Sequence, residues 1–96
     1  MQRFISTYLS TVTSDQHASW AMLTPSFQRA SGGFGRYQGF WRTISSATPR
    51  DITPDPSLMT VSYGVDYVRT DGSRSSDQVT LQLVRNGSSY LINGET

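Results

Sequence analysis

Apolar side chains at Phe4, Ile5, Tyr8, Leu9 and Val12 recur at the spacing of one helical face. Thr13 followed by Gln16 reads as a capping box, so a second short helix is expected to start at Thr13 or Ser14 and to carry Trp20, Ala21 and Leu23 inward. Thr24-Pro25 restarts the chain, with Thr as N-cap and Pro in the first helical position, and leads into Phe27. Ser31-Gly32-Gly33 is a break. Beyond it Phe34, Tyr37, Phe40, Trp41 and Ile44 mark one face of a further helix.

After Ile44 the period changes from helical to alternating. Residues 45–56 hold Pro49, Pro54 and Pro56 and read as an extended edge strand or a crossing loop, because proline cannot donate to a ladder. Met59, Val61, Tyr63, Val65 and Tyr67 then point one way while Thr60, Ser62, Gly64 and Asp66 point the other. Asp71-Gly72 is a hairpin signal, followed by Val79, Leu81 and Leu83 alternating with Gln78, Thr80 and Gln82. Asn86-Gly87 is a second hairpin signal, and Tyr90-Leu91-Ile92 is a last short strand. The pattern predicts an α+β domain: N-terminal helices laid across one face of an antiparallel meander of three to four strands.

Ninety-six residues without internal repeat or linker make one domain, 1–96. Hydrophobic content is only 35%, so the core relies on eleven aromatics (four Phe, five Tyr, two Trp), each of which buries a large area. The net charge of +1 and the scatter of the eight basic residues, all arginine, argue against nucleic acid as a partner. Cysteine is absent, which removes disulfides, thiol catalysis and thiolate-bound zinc. No apolar run approaches the ~18 residues of a membrane span, and MQRFISTYLSTVT is too polar for a signal peptide, so no membrane contact by this domain is expected.

Two clusters carry a family resemblance: Trp20-x-x-Leu23-Thr24-Pro25-x-Phe27-Gln28, and Gly32-Gly33-x3-Tyr37-x2-Phe40-Trp41. Together with the closing Tyr90-Leu91-Ile92-Asn93-Gly94-Glu95 they resemble the NTF2-like (nuclear transport factor 2-like) domains of actinobacteria. The resemblance covers nearly the whole chain, but its residues are aromatics and turn formers, which specify a fold and not a reaction. It implies a cone, with helices closing over the concave face of a bent sheet. It also implies an extracytoplasmic domain: a sensor tethered by a transmembrane segment outside this chain, as in membrane-anchored serine/threonine protein kinases, or else a small stand-alone secreted or lipoprotein module. In the first case the chain is a fragment of a longer protein. The absence of lysine suits a GC-rich source of that kind.

The superfamily also contains isomerase-like and cyclase-like enzymes, which place carboxylates, Tyr or His inside the cone. Here the expected inward face of the long strand, from Met59 to Tyr67, carries no carboxylate. His17, the single histidine, sits in a polar helix start without a triad partner and reads as a solvated surface residue. Asp51 and Asp55 flank prolines and read as turn caps, Asp71 belongs to a hairpin, and Asp77 reads as an exposed strand start. Asp66 alternates outward. Gly32-Gly33-x-Gly35 lacks the preceding strand and the following Lys of a phosphate loop and reads as a hinge. No catalytic set, no metal-ligand cluster and no cofactor motif emerges.

Trp20 and Phe27 are assigned to the core. Tyr8, Tyr37, Trp41, Tyr63 and Tyr67 form the candidate ligand-binding set, with Tyr63 and Tyr67 foremost because each has a hydroxyl to satisfy and they lie two apart on one face. The expected function is a non-catalytic sensor domain that binds a small apolar or amphipathic ligand, or that forms a homodimer through the polar outer sheet face. The alternatives are an isomerase- or cyclase-type enzyme, requiring Asp66 or His17 in the cavity, and a structural dimerisation module with a filled core.

Overall fold

A computed structural model describes residues 1–95. Four helices come first: α1 (Gln2–Val12), α2 (Gln16–Trp20), α3 (Pro25–Ala30) and α4 (Phe34–Trp41). Four strands follow, β1 (Ile44–Asp55), β2 (Thr60–Arg69), β3 (Arg74–Asn86) and β4 (Ser89–Glu95), paired antiparallel in the order β1-β2-β3-β4. The architecture is α+β, helices packed on one face of an open sheet.

The helical stripe of α1 is buried as its spacing predicts, with Phe4, Ile5, Tyr8, Leu9 and Val12 all in the core. On the sheet side Val61, Tyr63 and Val65 of β2 and Val79, Leu81 and Leu83 of β3 face them, joined by Ile92 of β4. The pairs Val61↔Leu81 and Tyr63↔Val79 lie opposite each other, so the two apolar alternations share one face of the sheet.

The local signals mostly locate the right turns and occasionally the wrong residue. Thr24 caps α3 as expected, its Oγ1 accepting from the Phe27 N–H at 3.2 Å. For α2 the expected Thr13–Gln16 capping box does not form. Thr13 Oγ1 and Gln16 Nε2 donate back to the last carbonyls of α1, and Asp15 is the N-cap, accepting from the Ala18 N–H at 3.2 Å. The end of α1 takes up both Thr13 and Gln16, which leaves the cap to Asp15, whose carboxylate suits a helix start. Starting the helix two residues later rotates Ala21 into solvent, leaving Leu23 buried and Trp20 half-buried. Trp20 and Phe27 pack on the core without being enclosed by it. Phe40, expected on the inner face of α4, is 51% exposed, and Ile44 belongs to β1. The second hairpin turns on Gly87-Ser88, with φ +62° at Gly87, because Asn86 already pairs with Ser89.

β1 is an edge strand, where Pro49 and Pro54 are tolerated. It is interrupted twice, between Ile44 and Ser46 and between Arg50 and Thr53, and Asp51 sits there at φ +52°. A third irregularity lies in β4: Gln82 pairs with Gly94 but Leu83 pairs with Ile92, so Asn93 is an extra residue. Each bulge bends its strand and increases the local twist. The Asn93 bulge is tied to the helical layer, since Thr24 Oγ1 donates to Asn93 Oδ1 at 2.8 Å. Beside it the Leu23 segment pairs with β4, through Thr24 N–H to the Ile92 carbonyl and Ile92 N–H to the Met22 carbonyl.

Candidate functional site

Between the helices and the inner sheet face lies a cavity of about 240 Å³. α4 contributes Tyr37, Phe40 and Trp41, α1 contributes Tyr8, and β2 contributes Tyr63 and Tyr67. The five aromatics singled out from the sequence, Tyr8, Tyr37, Trp41, Tyr63 and Tyr67, therefore line one space. Three of these rings contact one another in a run, Tyr37 to Trp41 at 6.5 Å between centroids and Trp41 to Tyr67 at 6.2 Å. Val79, Leu81, Leu23 and Ile92 supply an aliphatic wall.

The hydroxyls fall into two kinds. Ser19, fully buried, donates to the Gln16 carbonyl at 3.1 Å, so its oxygen accepts from Tyr37 at 2.7 Å, and the Tyr37 oxygen in turn accepts from Tyr8 at 3.0 Å. Each hydroxyl has one proton, so this chain of donors is complete and leaves Tyr8 only lone pairs. Burial, then the neighbouring Tyr37, pushes the Tyr8 phenol far above its ordinary range, and burial likewise raises Tyr37. Tyr63 differs. It is 3% exposed, it lines the cavity, and its hydroxyl has no hydrogen-bond partner among the described residues.

Two charged residues at the cavity were missed by sequence reasoning. Asp77 is exposed as expected of a strand start, yet it pairs with Val65 on the inner face and lines the cavity. The signal was present: Asp77 is in phase with Val79, Leu81 and Leu83. Glu95 was not legible in that way. Counted by twos from Ile92 it falls on the outer face, but the Asn93 bulge reverses the parity and sets Glu95 opposite Leu81, on the inner side. Burial at the cavity, and then the charge of Asp77, raises the Glu95 carboxyl pKa above its usual value. Both carboxylates also help burial to raise Tyr67.

Of the acid–base candidates weighed from the sequence, His17 and Asp66 lie outside the cavity, whereas the carboxylates Asp77 and Glu95 line it. His17 is exposed and stacks on Phe34 at 4.4 Å. Asp66 is on the outer face, where it accepts from Arg50 Nε at 2.8 Å and from Ser76 Oγ at 2.6 Å, with the Arg50 side chain crossing Gly64. Asp55 and Asp71 cap turns through the N–H groups of Ser57 and Ser73. Among the described residues no group of three or more His, Asp or Glu could hold a metal ion, and no helix is long and apolar enough to cross a membrane.

The Ser76 hydrogen bond, and after it Arg50, holds the Asp66 pKa below its ordinary value. A depressed carboxyl adds stability above its unfolded-state pKa and loses it as pH falls through the folded value. Asp66→Asn should therefore lower the melting temperature at neutral pH and have no effect once acid has protonated the wild-type carboxyl. Melting curves of both proteins from neutral pH to about pH 2 check this. A gap that persists in acid would mean that Asp66 acts through packing.

No family model, curated protein or solved structure matches the chain.

Proposed function

We propose that this domain is a non-catalytic binding module that takes a small ligand into the aromatic cavity. The observation that carries the reading is the Tyr63 hydroxyl: it sits in an almost fully buried residue, faces a space of about 240 Å³, and lacks a partner among the described residues. No buried side-chain polar atom among the described residues lacks a partner, so the Tyr63 oxygen is open to the cavity, where a ligand or water can bond to it. The volume lies just below the roughly 300–1,000 Å³ of drug-sized sites, so the ligand is a single ring or a short chain. Under this reading the α+β frame is the cone of the NTF2-like domains that the sequence resembles, and the module is the extracytoplasmic sensor of a membrane-anchored protein such as a serine/threonine kinase. The polar outer face, with Ser62 and Thr80 bonded at 2.8 Å, would then be where a second copy docks.

Amide and indole NMR shifts of the whole 96-residue chain, titrated with benzyl alcohol, benzylamine and phenylacetate, test the binding reading. At least one should move the signals of Trp41, Tyr63, Tyr67 and Val79, leave those of Asp66 and Ser76 in place, and be recovered chemically unchanged. If none of the three moves the cavity signals, the binding reading is wrong.

A further inference from the structure

We propose that the cavity selects a small organic cation, an amine or quaternary ammonium group carried on one ring or a short apolar chain. This rests on the binding reading above and adds the sign of the ligand's charge. Of the residues lining the cavity, the charged ones are Asp77 and Glu95, and no arginine lies among them. The two carboxylates come from neighbouring strands and reach the same space only because of the Asn93 bulge. One Asp77 oxygen accepts from the Gln78 N–H at 2.8 Å. The Glu95 carboxylate has no hydrogen bond to any described residue.

Three features of the wall agree with this sign. Trp41, Tyr67 and Phe40 line the cavity with aromatic rings, whose faces attract ammonium groups through a negative quadrupole. The proton chain from Tyr8 through Tyr37 to Ser19 leaves Tyr8 as an acceptor, suited to an N–H donor. Tyr63, with a hydroxyl not yet committed, can accept as well. Burial, and after it the neighbouring Asp77 charge, makes ionisation of Glu95 harder, and a bound cation would offset the second of these. An anion would meet two carboxylates with no counter-charge in the wall. A bare metal ion would lack a third hard ligand among the described residues.

The test compares benzylammonium and benzyltrimethylammonium with two probes of similar shape, neutral benzyl alcohol and anionic phenylacetate, by NMR titration. Both cations should bind roughly tenfold more tightly than benzyl alcohol, with phenylacetate weakest. The double variant Asp77→Asn/Glu95→Gln should reduce that preference to near unity. Asp66→Asn, on the far face of the sheet, should keep it, so a general loss of net charge is separated from the loss of these two groups. Equal binding of cation and alcohol, or preference for phenylacetate, overturns the charge assignment while the binding reading stands. A preference that survives the double variant also overturns it, and silence from all four probes removes both.

Discussion

Leu83→Ala should cost about 3 kcal/mol and lower the melting temperature on the order of 15 °C, measured by calorimetry or circular dichroism. Leu83 is 2% exposed and stands opposite Ile92, itself 1% exposed, in the pair that precedes the Asn93 bulge. It does not line the cavity, so truncation opens a new void in a closed part of the core. Its backbone is also held, the N–H donating to the Met59 carbonyl at 2.8 Å, which limits how far β3 can move inward to fill the gap. Leu81 is its counterpart two residues back on the same strand and does line the cavity. Leu81→Ala enlarges a space that already exists and should cost less than Leu83→Ala. If the two variants melt alike, the cavity is not an open space in solution.

The sheet was legible because its signals are local and redundant. Val61, Tyr63 and Val65 alternate, Val79, Leu81 and Leu83 alternate, and Asp71-Gly72 lies between them, so register and buried face follow together. Thr24-Pro25 was legible for the same reason, since cap and first helical residue agree. Five of the seven aromatics that line the cavity, all but Phe27 and Phe40, could be gathered from their helical and strand spacing together with the cone that the resemblance implies. The start of α2 was not, because Thr13 and Asp15 are both competent caps and the choice between them depends on how α1 ends. Phe40 was misplaced because a periodicity of aromatics across a two-turn helix cannot separate a buried face from the rim of a cavity. Glu95 was beyond reach for a different reason. One extra residue reverses inside and outside in a strand, and the bulge is set by Thr24, 69 positions away in the chain.

Tyr37→Phe should cost about 2 kcal/mol, while Tyr63→Phe should leave stability nearly unchanged. Both residues are buried tyrosines on the cavity wall, so burial alone predicts the same result for each. Their hydrogen bonds separate them. Removing the Tyr37 hydroxyl leaves the Tyr8 proton without its acceptor and the fully buried Ser19 oxygen without its donor, so two groups lose a partner at once. Removing the Tyr63 hydroxyl breaks no bond to a described residue and takes a polar group out of an apolar wall. Ser19→Ala in combination with Tyr37→Phe should cost less than the sum of the single changes, because the chain is already broken by either. Melting temperatures and denaturant midpoints of the four variants decide the point. The complementary expectation concerns binding: Tyr63→Phe should weaken the tightest-binding benzyl probe without altering the fold. Were Tyr63→Phe to destabilise the protein as much as Tyr37→Phe, the Tyr63 hydroxyl would have a structural partner in solution, and the observation on which ligand binding rests would be gone.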